Sequence, residues 1–517
     1  MHRILWAVVA IAFVVGLVVP DRSGDAPPGD GCPPRDPRVP APYAITGYWV
    51  IPRADRCVTR RMVEAIRALG GDTLVTFGPR FSVGGDPGCV VDGRPCADVP
   101  GARHVYSYAT SEEFGPGFLR CPGLDRRIER EGRIHYRVTL ATSCDSRVHD
   151  LVIVSTDGDG LGTLMAEAAA YGMGVFPGLP AAPQQAGKPW EPDHAHTAAL
   201  NAFTARVLTD YRARFGASFA GVYQSFELAM RDRADDDPIV ALYAAQHQVV
   251  ASVLPGTKIL VSPYIDARRG RGFPPAQAAE GLADIAATRA GLPMAVAVQD
   301  GRGTGKVPVH GAHERDARVE ARLAPVVGDV SYAAAYHGST REYVEAAARR
   351  VPPEVELWVN VEGFEPTPAA GECGRVDPLP LRGRTSKSRL DRQVMAVAAH
   401  ATKIISYGWD PFFTCRSRHD TPSLADDIAA GWQQPIIVNA TRHDRDGRPG
   451  TLVEGYHLRG GTFRFDPPGA VVEQEWHGRG RLESAWVPYA PPRNAWTSIT
   501  ATNDVGRTGT PYVMPQP

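Results

Sequence analysis

Two glutamates stand at the ends of apolar, strand-like runs and could act as a pair of catalytic carboxyl groups. Glu362 closes the run that begins at Glu356, and Glu227 follows the run 219–226. A protonated carboxyl group can donate to a leaving oxygen while an ionised one attacks carbon or activates water. Glycoside hydrolysis needs these two roles, with retention at a carboxyl separation of about 5–5.5 Å and inversion at about 6.5–9.5 Å.

Other polar and aromatic residues occupy equivalent positions at strand ends, and we predict that they bind the substrate. The faces of Trp49 and Trp409 can stack on sugar rings, and Arg80 can hold a carboxylate or lower the pKa of a nearby nucleophile. On the seventh run Asn360 points the same way as Glu362, because side chains two apart on a strand share a face. The remaining candidates are Tyr223, Asp266, Gln299, Asp300 and Asp410.

The assignment of the two catalytic positions has alternatives. Glu365 lies just beyond Glu362 and competes for the nucleophile role, and Asp266 or Asp300 could take either role. Each glutamate could also be a solvent-facing charge at the start of a loop or helix.

The elements that would position these residues are short apolar runs alternating with amphipathic, Ala-rich segments. The predicted strands are 44–51, 73–77, 174–179, 219–226, 258–265, 294–298, 356–362 and 404–408. The predicted helices are 59–69, 161–171, 196–215, 238–253, 275–290, 314–323, 340–350, 388–402 and 423–432. Eight such alternations predict an α/β fold, the (β/α)8 TIM barrel, whose active sites lie at the C-terminal ends of the strands. An open doubly wound sheet fits nearly as well, but no GxGxxG motif follows the first strand.

The chain divides into four predicted regions. Residues 1–20 form a signal peptide or signal anchor, because a short basic start precedes an apolar run, and 21–42 form a flexible linker rich in Pro and Gly. Residues 43–432 form the barrel, with an insertion at 81–157 after the second strand that we expect to cover the top of the fold and shape the binding site. Residues 433–517 form a β-rich extension, either packed on the barrel or a meander.

Cysteine usage indicates an exported protein. The eight cysteines are even in number and predict disulfides, with plausible pairs Cys32–Cys57, Cys89–Cys96, Cys121–Cys144 and Cys373–Cys415. We expect a secreted or extracytoplasmic protein, with an uncleaved N-terminal segment as a candidate membrane tether. No CxxC or HExxH motif is present, so we predict no metal site and no cofactor.

Charge and motifs exclude several other functions. The 56 basic and 57 acidic residues nearly cancel, so the sequence predicts no nucleic-acid partner, and we expect a monomer. The absence of a GxSxG motif disfavours a Ser–His–Asp hydrolase.

The span from Ile45 to Trp409 resembles a bacterial domain-of-unknown-function family of barrel glycosidases. The pieces that carry the resemblance are Thr46-Gly47-Tyr48-Trp49, Asp72-Thr73-Leu74-Val75, Gly221-Val222-Tyr223 with Glu227, Gln299-Asp300-Gly301, and Asn360-Val361-Glu362. Their placement is similar to that in clan A glycoside hydrolases, which are (β/α)8 enzymes. The resemblance implies that Glu227 is the acid/base and Glu362 the nucleophile. Phe226 departs from it, because clan A has Asn at that position to hold the sugar 2-hydroxyl.

Together these observations predict a secreted glycoside hydrolase that cleaves a polysaccharide or cell-envelope glycan, through a two-carboxylate and retaining mechanism. A different class is a non-catalytic carbohydrate-binding or cell-wall scaffold protein on a degenerate barrel, which Phe226 favours. A third is a barrel deacetylase or lyase.

Overall fold

The computed structural model describes residues 31–515 except 92, 142, 235, 368–381 and 417–421. The predicted signal segment and the first part of the predicted linker lie outside these residues. The chain separates into two units, residues 1–34 and 35–517. The second unit contains every helix and strand of the described residues.

Eight parallel strands form the centre of the second unit. They are β1 Gly47–Trp49, β2 Thr73–Val75, β3 Gly174–Phe176, β4 Gly221–Tyr223, β5 Lys258–Val261, β6 Met294–Gln299, β7 Val355–Glu362 and β8 Lys403–Tyr407. Their order is β3-β2-β1-β8-β7-β6-β5-β4, and every neighbouring pair is parallel. Parallel bridges Val175–Phe219 and Gly178–Tyr223 join the two ends of this order. The predicted (β/α)8 barrel is confirmed.

All eight strands contribute side chains to one buried cluster inside the barrel. Its members are Trp49, Val75, Phe176, Tyr223, Leu260, Ala295, Ala297, Trp358 and Ile405. Because side chains alternate along a strand, Asn360 and Glu362 continue the inward-facing row that Trp358 begins on β7. Glu362 therefore lies at the C-terminal mouth of the barrel.

In the described residues one helix follows each barrel strand, eight in all. They are α1 Arg56–Ala68, α2 Gly160–Ala170, α3 Thr197–Arg214, α4 Pro238–Val253, α5 Pro275–Ala287, α6 Thr340–Arg350, α7 Lys387–Val397 and α8 Leu424–Gly431. Side-chain caps fix several of their starts, such as Asp55 on α1 and the Ser339–Glu342 capping box on α6. Short helical turns occur at Pro116–Phe118, His194–His196, Ala312–Glu314, Ala324–Val327, Tyr332–Ala335 and Trp409–Phe413.

The helix predicted at 314–323 is wrong. Only the turn Ala312–Glu314 forms at its start, and the rest folds back as a loop. Backbone hydrogen bonds from Tyr332 to Ala317 (2.9 Å) and from Ala333 to Arg315 (2.7 Å) hold this loop. These bonds occupy carbonyl groups that a helix would need for its own ladder.

The insertion after β2 is a five-stranded sheet. Its order is Phe81–Val83, Ala102–Thr110, His149–Thr156, Arg133–Thr139 and Arg126–Arg130, and a separate two-stranded pair comprises Val90–Val91 and Arg94–Pro95. The predicted disulfides Cys89–Cys96 and Cys121–Cys144 are confirmed. Cys32, Cys57 and Cys415 are also disulfide-bonded, whereas Cys373 lies outside the described residues.

The C-terminal region forms two four-stranded antiparallel sheets. One contains Ile436–Arg442, Thr451–Tyr456, Glu483–Val487 and Trp476–Gly478, and the other contains Ala470–Glu473, Thr462–Asp466, Thr497–Thr502 and Tyr512–Met514. The first packs on the barrel, since Arg341 of α6 donates to the carbonyl oxygens of Met395 (2.6 Å) and Val438 (3.2 Å). Among the described residues, two further pairs of short antiparallel strands occur, Gln184–Gln185 with Lys188–Pro192, and Phe364–Glu365 with Gly383–Arg384.

The predicted flexible linker does not extend to residue 42. Arg35 donates hydrogen bonds of 3.1 Å to both carboxylate oxygens of Glu167 on α2, and Ala41 is buried. This part of the chain is therefore fixed to the barrel. No helix among the described residues is long and apolar enough to cross a membrane.

Candidate active site

Glu227 lies at the open side of the barrel mouth. It lies four residues beyond the end of β4, and its side chain is exposed to solvent. Gln299, the last residue of β6, donates from Nε2 to Glu227 Oε1 at 3.1 Å and to the carbonyl oxygen of Ser262 at 2.8 Å. One carboxylate oxygen is thus oriented by a fixed amide, and the other faces the solvent side.

Glu362 lies at the same mouth but is buried, with 4% of its surface exposed. The backbone N–H of Thr304 donates to Oε2 at 2.6 Å, and the Thr304 hydroxyl lies 3.3 Å from Oε1. Both contacts come from the 300–306 segment, which follows β6 and covers the carboxylate. At Gly303 a Cβ atom would approach the Cβ of Glu362 to 2.8 Å and the Phe364 ring to 2.7 Å, so this close cover requires glycine.

Asp300 lies beside Glu362 and is also buried. Its Oδ1 accepts from the backbone N–H groups of Glu362 (3.1 Å) and Arg302 (3.2 Å), and its Oδ2 accepts from Gln393 Nε2 at 2.7 Å. Burial raises the pKa of Asp300 above its usual range.

Burial, and then the neighbouring charge of Asp300, raises the pKa of Glu362 to about 7. The charge of Lys306 and the hydrogen bonds from Thr304 act in the opposite direction, because they favour the ionised form. Glu362 is therefore poised between its two protonation states near neutral pH.

Tyr407, the last residue of β8, has a phenol group whose pKa depends on the charges of both glutamates. Burial and then the charges of Glu227 and Glu362 raise the pKa of its phenol group. Its ring also packs near that of Phe77, at 5.7 Å between centroids, and Phe77 is 44% exposed. Tyr407 is the register partner of Glu362 on β7, and Gln299 at the end of β6 contacts Glu227, so both carboxyl groups lie at the same mouth.

Glu227 opens onto a cavity of about 900 Å³. The loops that follow β2 to β6 line it, with Arg80, Trp190, Tyr264, Arg271 and Lys306 among the lining residues. No described residue of the insertion 81–157 lines it. The insertion therefore does not border this cavity with any described residue, and the Gln184–Pro192 hairpin borders it instead.

Comparison with known proteins places the chain in a family. A family profile described as a domain of unknown function, DUF4434, matches residues 136–419, more than half of the chain. The chain belongs to the DUF4434 family. No curated protein sequence matches it.

Several solved structures are distantly similar to this DUF4434 chain. A Bacteroides thetaiotaomicron protein with the provisional description of an α-L-fucosidase is 13% identical with a TM-score of 0.41, over 83% of this chain and 98% of its own. A family 5 glycoside hydrolase from Bacteroides vulgatus is 12% identical with a TM-score of 0.40, over 86% and 90%. A family GH18 chitinase from Chromobacterium violaceum is 12% identical with a TM-score of 0.32, over 76% and 84%. Similarity this distant carries no information on activity.

Three of the predicted binding residues, Trp49, Tyr223 and Asn360, lie inside the DUF4434 barrel. Trp49 is 1% exposed and meets Tyr223 edge to face at 5.5 Å between centroids. Asn360 is 1% exposed and donates to Ser262 Oγ at 3.2 Å. These side chains form the floor beneath the mouth, and no face of Trp49 is open to a sugar.

Trp409 lies outside the barrel mouth, which corrects the prediction of a sugar platform. It is 1% exposed, stacks on Phe413 at 5.5 Å and meets Tyr48 edge to face at 5.0 Å. The preceding residue, Gly408, has φ +69° and turns the chain away from the inward row. Asp410 accepts from the Thr414 hydroxyl at 2.5 Å and does not line the cavity.

Two other predicted carboxylates are held in ion pairs. Arg268 binds both oxygens of Asp266 (2.9 and 2.6 Å) and, against the effect of burial, lowers its pKa. Glu365 is buried against Arg389 (2.7 Å) and the Thr385 hydroxyl (2.9 Å). Neither lines the cavity.

The sequence analysis missed several residues of the mouth and cavity, among them the aromatic residues Tyr264, Tyr407 and Trp190. Tyr264 and Tyr407 each lie two residues before a predicted residue, Asp266 and Trp409, so strand alternation already placed them on the same rows. Trp190, 64% exposed, lies on the Lys188–Pro192 strand, and no periodic signal marks it. Among the described residues, no group of three or more His, Cys, Asp and Glu side chains could hold a metal ion.

Proposed function

We propose that this DUF4434 protein is an extracytoplasmic glycoside hydrolase that cleaves a poly- or oligosaccharide at the barrel mouth. The observation that supports this most directly is that two carboxyl groups lie at the barrel mouth, Glu362 at the end of β7 beside Tyr407 and Glu227 beside an open cavity of about 900 Å³. The disulfides support an oxidising compartment outside the cytoplasm.

In the proposed reaction Glu227 is the acid/base. It gives its proton to the glycosidic oxygen as the bond from that oxygen to the anomeric carbon breaks. The Gln299 amide fixes one of its oxygens, so the other is presented to the leaving group. In the second step Glu227 takes a proton from water as that water attacks the same carbon.

Glu362 is the proposed nucleophile, which forms and then releases a bond to the anomeric carbon. For this it has to be ionised and uncovered, so Thr304 has to move off its carboxylate. The charge of Lys306 favours the ionised form, and so do the hydrogen bonds from Thr304 until Thr304 moves. This requirement makes the state of Glu362 the decisive element of the proposal.

A digestion screen tests the function. The protein and its Glu227→Gln variant are incubated with a panel of polysaccharides, and the release of reducing ends is measured. Release by the wild type and its loss in the variant are expected, and the anomer first released, read by NMR, reports retention or inversion. Glu280→Gln, an exposed carboxylate of α5 paired with Arg350 at 2.6 Å, is the control and should retain activity.

A second candidate is a carbohydrate-binding protein without hydrolytic activity. The burial of Glu362 beneath Thr304 favours it, as does Phe226, whose side chain is buried where clan A has Asn. Binding of a glycan by the wild type and by Glu227→Gln with equal affinity, and no release from any polymer, would establish this function instead.

A further inference from the structure

The cavity beside Glu227 carries an excess of positive charge. Five basic residues line it: Arg80, Arg231, Arg233, Arg271 and Lys306. Among the described residues, three acidic side chains line it: Glu191, Glu227 and Asp237. The whole chain has a net charge of −1, so this excess belongs to the cavity and does not reflect a basic protein.

Most of the acidic charge in the cavity is already engaged. Arg231 and Arg233 share the single carboxylate of Asp237, at 3.2 and 2.7 Å. Glu191 pairs with Lys188 at 3.2 Å on the hairpin strand. Glu227, the third acidic residue, accepts its hydrogen bond from a neutral amide.

Three cations have no such partner. Arg80 follows β2, Arg271 follows β5 and Lys306 follows β6, and none of them forms an ion pair with a carboxylate in the part of the chain that the structure describes. Cations from three separate loops therefore face one cavity. Unpaired charges of one sign that converge in a cleft attract a ligand of the opposite sign.

One of these cations is held in place next to the proposed chemistry. The Lys306 ammonium lies 3.7 Å from the centroid of the Tyr264 ring, a cation–π contact that orients it. Trp190 offers an exposed aromatic face in the same cavity, on which a sugar ring can stack.

We infer that the substrate is an anionic glycan, whose carboxylate, sulfate or phosphate groups bind Arg80, Arg271 and Lys306 while a sugar ring stacks on Trp190. This inference rests on the proposed function, because it names the substrate class of the same cavity. Arg80 and Arg271 are specificity-determining residues in this arrangement, since they contact charged substituents and not the reacting atoms.

Calorimetric titration of the Glu227→Gln variant tests the inference without turnover. The probes are polygalacturonate, dextran sulfate, a glycerol-phosphate polymer and neutral dextran, each at two ionic strengths. At least one charged polymer should bind tenfold or more tightly than dextran, and this preference should weaken at the higher salt concentration. The polymer that binds identifies the anionic group.

Charge-removing variants distinguish the cavity from the rest of the surface. In the Glu227→Gln background, the further changes Arg80→Gln and Arg271→Gln together should reduce affinity for the charged polymer tenfold or more. Arg61→Gln, which removes an exposed arginine of α1 outside the cavity, should leave it unchanged. Equal binding of dextran and all charged polymers, or an equal loss in the Arg61 variant, would overturn the inference.

The two proposals fail in different ways. Hydrolysis of neutral glycans with no preference for charged ones would overturn the anionic substrate and leave the glycoside hydrolase standing. Cavity-dependent binding of a charged polymer with no hydrolysis of any glycan would overturn the glycoside hydrolase and leave the anionic ligand standing.

Discussion

The two sides of the barrel mouth place the same chemical group in opposite environments. Glu362 is the last residue of β7 and Glu227 lies four residues beyond β4, yet Glu227 is exposed and Glu362 is 4% exposed. The difference comes from the loops, because the chain after β4 leaves Glu227 beside the cavity while the 300–306 segment after β6 covers Glu362. Strand position sets the direction of a side chain, and the neighbouring loop sets its solvation and charge state.

The largest expected effect comes from removing either carboxyl group. Glu227→Gln and Glu362→Gln should each lower kcat by roughly 10³-fold or more. The first variant loses proton transfer to the leaving group, and the second loses covalent attack on the anomeric carbon. Hydrolysis of the polymer identified in the digestion screen measures this. Circular dichroism and the thermal midpoint should show that both variants remain folded.

A second buried carboxyl group, outside the barrel mouth, serves as the control for replacing a buried carboxyl group by an amide. Glu112 is buried, accepts from Tyr211 (2.8 Å) and Thr110 (3.1 Å), and burial raises its pKa to about 7, as for Glu362. Glu112→Gln should leave kcat near the wild-type value. A Glu362→Gln variant as active as Glu112→Gln would make the buried side of the mouth structural and remove Glu362 from the reaction.

The next effect concerns the exposed side of the mouth. Gln299→Ala removes the 3.1 Å hydrogen bond that orients Glu227, a bond to a charged group worth about 1.5–3 kcal/mol. We expect kcat/KM to fall roughly 10- to 100-fold. Gln299→Glu removes the amide donor and places a second carboxylate beside Glu227, so kcat/KM should fall at least as far. If neither variant changes the rate, Gln299 does not position the acid/base.

A smaller effect separates the two sides by their pH dependence. The nucleophile has to be ionised, so kcat/KM should rise with pH as Glu362 loses its proton, through a pKa of about 7. Asp300→Asn removes the adjacent charge and should move this limb to lower pH by about one unit. The Asn oxygen can still accept from the amides of Glu362 and Arg302, which keeps the backbone in place. A limb that falls with rising pH near 7 would instead make Glu362 the proton donor.

The contrast between the two sides also marks what sequence reasoning could reach. Alternating apolar runs predict the strands, and the period of two places Asn360 and Glu362 on one face, as the structure shows. The cover over Glu362 could not be predicted, because it depends on Gly303 meeting the Phe364 ring across two loops. The same limit applies to Trp409, where a left-handed Gly408 after the strand ends the alternation and sends the ring into the outer core.

The smallest predicted change concerns the Thr304 hydroxyl, 3.3 Å from Glu362 Oε1. Thr304→Val preserves the shape and the 2.6 Å bond from the backbone N–H but removes one donor to the ionised carboxylate. The pKa of Glu362 should rise by a few tenths of a unit, about 0.5 kcal/mol, and the acidic limb should move to higher pH. Thr304→Ser retains the hydroxyl and should reproduce the wild-type limb. Because Asp300→Asn and Thr304→Val act on the same carboxyl group from opposite directions, a limb that shifts the same way in both, or in neither, belongs to a group other than Glu362.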